Sequence, residues 1–231
     1  MKLDLLITGC GRSGTQYLTE VLAAAGIRTS HEKRFTVFGP ENVEGPQCEA
    51  SWYAAPFLSH LSPKTRILHL VRDPAAVVKS FHRIGLCAPK IRHHVTAGQP
   101  LAEVLARTTL KPLRLLERIR YVHAHRDLLE RATTCLEPAQ EVDRLWQYWG
   151  QWNGIVEDFL LRAPNPHLRL RLEELDEKLP ELAAFLEVDL MLQARPAANT
   201  KPFYRRRPIA WTPIPHAVRA RAERYGYIPH V

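Results

Sequence analysis

Apolar positions along the chain change period where the elements change. Leu3, Leu5, Leu6 and Ile7 form a compact run that stops at Gly9, and Tyr17, Leu18, Val21 and Leu22 then recur at helical spacing up to Gly26. This predicts a strand, a glycine loop and a helix. Residues 27–30 read as a short strand leaving that helix, and 48–53 as another, beyond a Gly/Pro-rich loop at 39–46. Ile67-Leu68-His69-Leu70-Val71 is mostly apolar, as in a strand covered on both faces, and Asp73-Pro74 then opens a helix carrying Ala76, Val77 and Phe81.

Over 112–132, Leu115, Ile119, Val122 and Leu129 keep helical spacing, while Arg107, Lys111, Arg114 and Arg118 mark another face, read as solvated. A second long helix over 138–161 presents Leu145, Trp149, Trp152, Val156, Phe159 and Leu160, a stripe whose spacing reads as core. Residues 167–172 alternate like a strand, Glu173-Glu174-Leu175 ends it, and helices follow over 180–187 and near 217–224. Strands alternating with helices predict an α/β fold with a central, mainly parallel sheet flanked by helices.

With 231 residues, 45% of them apolar, the chain can bury one sizeable core, and a single domain over 1–231 is expected. Its net charge of +8 favours anionic ligands. No nucleic-acid motif accompanies that charge, so no nucleic-acid partner is expected. The four cysteines show no C-x-x-C or short paired spacing, which excludes a disulfide framework and points to a reducing, cytoplasmic setting. No apolar run approaches the roughly 18 to 20 residues of a membrane span, so no transmembrane segment is expected, while peripheral membrane contact stays open.

Gly9-Cys10-Gly11-Arg12-Ser13-Gly14-Thr15-Gln16 lies between the first strand and helix, where successive backbone N–H groups can point at an anion. The Gly9-x4-Gly14 spacing is that of a P-loop and predicts a P-loop-like, three-layer architecture; a tight strand-to-helix turn would also explain the glycines. Nucleoside triphosphate loops continue with Lys-Ser/Thr. Here Thr15-Gln16 stands, and Arg12 is the loop's only cation, which argues against Mg-ATP chemistry. A cysteine phosphatase would need an arginine where Gln16 stands, so Cys10 reads as a small loop residue. Farther on, Arg72 ends a strand and Ser80 follows two helical turns later, so both can reach one anion; an arginine paired with an acidic neighbour is the alternative.

Together these segments resemble the sulfotransferases that use 3′-phosphoadenosine 5′-phosphosulfate (PAPS). The family's [KR]-S-G-T-[TS]-x-L loop is matched by Arg12-Ser13-Gly14-Thr15-Gln16-Tyr17-Leu18, with Gln16 departing from Thr or Ser. Its V-x-R-[DN]-P element with a serine eight residues after the arginine is similar to Val71-Arg72-Asp73-Pro74 and Ser80. Its late strand is similar to Leu170-Arg171-Leu172-Glu173-Glu174-Leu175 followed by Glu181-Leu182-Ala183-Ala184-Phe185-Leu186. Length and gaps look like the compact bacterial members and the carbohydrate branch.

The resemblance implies sulfuryl transfer from PAPS to a hydroxyl of a small-molecule or glycan acceptor, with 3′,5′-adenosine bisphosphate as product and no metal. It assigns the 5′-phosphosulfate to Gly11, Arg12, Ser13, Gly14, Thr15 and Gln16, and the 3′-phosphate to Arg72 and Ser80. Tyr17 stacks on adenine or joins the core. Glu32, after the second short strand, is the expected general base; His31 is its neighbouring rival and His60 a third. The basic, Pro-rich segment 194–231, with Asn199-Thr200-Lys201 and Arg205-Arg206-Arg207, is expected to pack on or close the nucleotide site. Loops 35–56 and 86–110 are the expected acceptor walls. Two other classes compete: a kinase-like P-loop nucleotide-binding protein and a non-catalytic polyanion-binding module.

Overall fold

The apolar run after Met1-Lys2 becomes strand β1 (Leu5–Thr8), and the helical period after Gly14 becomes α1 (Thr15–Ala24). A computed structural model describes residues 3–91, 95–96, 112–189 and 208–228, the side chains of 112–115 excepted. Strands β2 (Thr29–His31), β3 (Phe35–Thr36), β4 (Gly39–Pro40) and β5 (Cys48–Ala50) follow, then a 3-10 helix (Trp52–His60) and β6 (Arg66–Val71). Helices α2 (Pro74–Ile84), α3 (Pro112–Ala132) and α4 (Glu141–Leu160) precede β7 (His167–Arg171), α5 (Leu179–Leu186) and α6 (His216–Arg224). The chain divides into two compact units, Met1–Asp73 with Trp152–Thr200, and Pro74–Gln151 with Lys201–Val231.

The first unit holds a five-stranded sheet in the order β2-β5-β1-β6-β7, every pairing parallel. The class is α/β, as the alternation predicts. Leu5, Ile7, Leu68, Leu70 and Leu170 face one side of the sheet, where Leu18, Val21 and Leu22 of α1 and Leu182 and Leu186 of α5 cover them. The intervening His69 meets the α4 residue Asn153, Nε2 to Oδ1 at 3.1 Å, and Trp152 Nε1 donates to the Trp52 carbonyl at 3.0 Å. Burial of alternate residues on both faces is why β6 reads as an almost unbroken apolar run. From β1 the chain leaves through α1 toward β2, whereas β6 leads to β7 on the other side. The carboxyl ends of β1 and β6 therefore flank a topological switch point, the place where open parallel sheets hold ligands.

The strand expected over 48–53 stops at Ala50. Ser51 Oγ accepts the Tyr53 N–H at 3.2 Å and caps the 3-10 helix, which buries Trp52 and Tyr53. The start of the Gly/Pro-rich stretch pairs with the residues before it as a hairpin, β3 against β4, with Phe35 opposite Pro40. Strands of two residues carry no alternation to read.

The second unit is helical among its described residues. Phe81 of α2 meets Tyr148 of α4 edge-on at 5.2 Å, and Trp149 packs on Tyr225 at 5.9 Å. Trp146, Trp149 and Trp152 are fully buried, so the aromatic stripe is core, as its spacing predicts. On α3, Val122 and Leu129 are buried and Arg118 is exposed. Arg107, Lys111, the Arg114 side chain and residues 199–201 and 205–207 lie outside the described residues. Among the described residues no helix is long and apolar enough to cross a membrane.

Candidate functional site

Between β1 and α1 the glycine loop lies hard against β6. Gly9 has φ +155°, and a Cβ there would fall 2.0 Å from the Leu70 carbonyl oxygen, so only glycine fits. Gly14 caps α1 from the left-handed region, φ +99°, with no side-chain cap and no acid in the first turn. The helix thus starts without an anionic cap of its own, an arrangement suited to binding an external anion. Arg12 is also left-handed at φ +68°, a conformation that costs a non-glycine residue and needs support. That support comes from Arg72, just beyond β6, whose Nη1 donates to the Arg12 carbonyl at 3.0 Å.

Beneath the loop lies a buried polar layer. Ser13 Oγ donates to the Cys10 carbonyl, and the Cys10 thiol is hydrogen-bonded to Asn153 and Ser13. Burial pushes that thiol up to about 12, so Cys10 is a neutral support and not a nucleophile. Burial also drives His69 down to about 4 against the opposing Asn153 bond, leaving an uncharged imidazole. Cys10, Ser13, His69 and Asn153 are each at most 1% exposed.

On the far side of α1, β2 ends in a second strained turn. Glu32 donates its N–H to the Ala50 carbonyl at 3.0 Å and takes φ +52°. Burial raises its carboxyl from the usual 4.5 to about 7, and the Glu49 carboxylate adds to the rise; a hydrogen bond from the Trp52 side chain and the Arg12 guanidinium oppose it. Arg12 and Glu32 therefore share one electrostatic neighbourhood. His31 Nε2 lies 3.2 Å from Thr15 Oγ1 and 3.9 Å from Glu32 Oε1, and burial lowers its basicity. The imidazole links the first helical residue after the glycine loop to the carboxyl. Beside Glu32 opens a pocket of about 430 Å³ lined by Ser30, Lys33, Thr36, Glu41 and Val43 among others.

The turn itself is held by Glu49. This fully buried β5 residue accepts Lys33 N–H at 2.8 Å and Arg34 N–H at 3.1 Å on Oε1, and Ser30 Oγ–H on Oε2. Arg34 continues the lock, its Nη2 donating to the Gly45 and Pro46 carbonyls at 3.2 and 3.3 Å.

The structure thus gathers Gly11, Arg12, Ser13, Gly14, Thr15, His31, Glu32 and Arg72 around the loop. Gln16 is exposed on α1, and Tyr17 packs against the apolar cluster between α1 and the sheet. Ser80 is half-buried on α2, in the second unit. His60 is exposed at the end of the 3-10 helix, edge-on to Phe57 at 6.1 Å. Glu49, His69 and Asn153 escape the sequence reading. The one available signal was polarity inside otherwise apolar stretches, in Cys48-Glu49-Ala50, Leu68-His69-Leu70 and Trp152-Asn153. Among the described residues no three His, Cys, Asp or Glu side chains gather as a metal site. Compared with protein-family models and with curated proteins, the chain matches none.

Proposed function

We propose that the protein is a P-loop-like sulfotransferase that moves a sulfuryl group from PAPS to a hydroxyl of a carbohydrate or glycan acceptor. One observation carries this reading: Arg12, Arg72 and Glu32 converge on a single glycine loop at the carboxyl ends of β1, β2 and β6. A glycine loop alone fits many anions. A loop arginine clamped by a second arginine and facing a carboxyl group of raised basicity fits a transfer that needs both a charge stabiliser and a base.

The residues suit such a donor. Arg12 and the uncapped start of α1 would bind the 5′-phosphosulfate and stabilise negative charge developing on the leaving phosphate. Arg72, oriented by its bond to the loop, would meet the 3′-phosphate through charge-assisted contacts. The sulfuryl group passes in line from the phosphate oxygen to the acceptor oxygen, as in phosphoryl transfer. Glu32 would accept the acceptor's hydroxyl proton, its carboxyl near 7 being more basic than an ordinary glutamate. The pocket along 30–46 is where that acceptor would lie, partly overlapping the expected acceptor wall at 35–56.

The test is calorimetric titration with 3′,5′-adenosine bisphosphate, with adenosine 5′-monophosphate and Mg-ATP as controls, repeated on Arg72→Ala. Selective binding of the 3′-phosphorylated nucleotide, lost in the variant, is expected. Preference for Mg-ATP, or no binding of the bisphosphate, would overturn the reading.

A further inference from the structure

We propose that Glu49 is the positioning residue of this site: its buried carboxylate, bonded by Ser30, Lys33 and Arg34, fixes the left-handed turn that presents Glu32 to Arg12. As a role in catalysis this rests on the sulfotransferase reading. As a statement about the Glu32 turn it stands on geometry alone.

Left to its intrinsic preference, a glutamate avoids positive φ, so an outside force must keep Glu32 at +52°. Three donors from one turn meet on the two oxygens of Glu49, and two of them are the N–H groups of the residues directly after Glu32. This is a side chain acting as the turn's missing carbonyl partner, the same economy by which carboxylates cap helices. Glu49 is 0% exposed, so removing its side chain takes from those donors the buried carboxylate they share. Glu49 itself is paired on both sides, with Leu6 of β1 and Ser30 of β2, so the backbone that carries the carboxylate is held within the sheet.

The placement has an electrostatic consequence. Among the described residues four groups act on Glu32: Arg12 from the glycine loop, Glu49 from β5, the Trp52 side chain from the 3-10 helix and His31 beside it on β2. Glu49 is the one anion among them. It therefore holds the Glu32 carboxyl in place and adds its own charge to the rise that burial begins. A residue serving only to fold the turn would do the first and not the second.

Two variants separate the roles. Glu49→Gln keeps the length and one acceptor oxygen but removes the charge; Glu49→Asp keeps the charge and shortens the reach. The reading is NMR titration of the Glu32 carboxyl with carbon-13-labelled glutamate, which needs no turnover. In Glu49→Gln the Glu32 midpoint falls below about 7 but stays above the ordinary 4.5, since burial remains, and the acidic limb of the pH profile of kcat/KM moves down with it. In Glu49→Asp the midpoint stays high while kcat falls by about 10-fold or more through misplacement. In both, affinity for 3′,5′-adenosine bisphosphate stays within about twofold of the parent. A Glu32 midpoint unmoved in Glu49→Gln overturns the proposal. Should that variant fail to fold, Ser30→Ala removes one of the three donors from an edge strand and is expected to lower kcat with bisphosphate affinity unchanged; unchanged kcat then overturns it. A parent protein without PAPS-dependent turnover, but with the expected shift in the Glu32 midpoint, overturns the function and leaves the assignment of Glu49 standing.

Discussion

A half-buried carboxyl and a buried imidazole near the loop set opposite pH dependences. Glu32 has its folded value raised to about 7 from 4.5, so the fold favours the protonated form. Its contribution to stability is complete below 4.5 and is lost as pH rises through about 7. His69 is lowered to about 4 from 6.5, so its contribution is present above 6.5 and is lost as pH falls through about 4. Between 4.5 and 6.5 the two slopes oppose each other and partly cancel. Glu32→Gln removes one of them. Chemical denaturation of that variant across this window should show stability rising more steeply with pH than in the parent, and an equal slope would deny Glu32 its raised value. In activity the same substitution should cut turnover by about 10² or more while bisphosphate binding persists. Near-parent turnover would pass the base role to His31, whose imidazole already touches Thr15 at 3.2 Å. Glu32 was picked out in sequence as a candidate base because its place after the second short strand resembles a sulfotransferase pattern. Glu49 was not, since burial and three converging donors exist only after 30–34 has folded back over β5.

At the scale of elements, glycines report where backbones approach too closely for any side chain. Gly9 sits 2.0 Å, at its would-be Cβ, from a backbone carbonyl of β6 that cannot swing away. Gly9→Ala should therefore cost about 1–3 kcal/mol in stability and weaken bisphosphate binding, because the loop must lift off the strand that leads into Arg72. Gly150 is the counterpart in the helical unit. It lies inside α4, where a Cβ would meet Val218 Cγ2 of α6 at 2.9 Å, and its carbonyl accepts Arg221 Nη1 at 2.6 Å. Gly150→Ala should likewise destabilise by about 1–3 kcal/mol, read as a lowered Tm, and a Tm equal to the parent's would show that Val218 gives way freely. These elements are also the ones the sequence exposes best. β1, β6, α1, α2 and α4 have long apolar patterns because each buries whole faces. β3 and β4 do not, because two residues apiece pair through backbone alone, and β5 was overrun by three residues because its buried Trp52 and Tyr53 continue the apolar run into a 3-10 helix.

Across the whole molecule, the chain passes between its two units after Asp73, after Gln151 and after Thr200, so the sheet unit is not a contiguous stretch. Every residue proposed for the phosphate loop, its arginine clamp and the base lies before residue 74. The parts that support them come later. Leu170, Leu175, Leu182 and Leu186 complete the apolar cluster beneath α1, β7 pairs with β6 over five residues, and Asn153 supplies the hydrogen bonds to Cys10 and His69 under the loop. A chain ending at Gln151 would keep every residue proposed for the loop, its arginine clamp and the base, and lose all of that support. β6 would become an apolar edge strand, a template for pairing with other chains, and the loop's buried polar layer would lack its Asn partner. Such a chain should aggregate, and whatever stays soluble should show no calorimetric signal with 3′,5′-adenosine bisphosphate. If it stays monodisperse and binds the nucleotide as the full chain does, then the strands before β7 suffice and the site owes nothing to Asn153. Recovery of binding on coexpression with residues 152–200 would instead show that the later stretch acts by docking onto the sheet, which is the arrangement the cluster and the β6–β7 ladder describe.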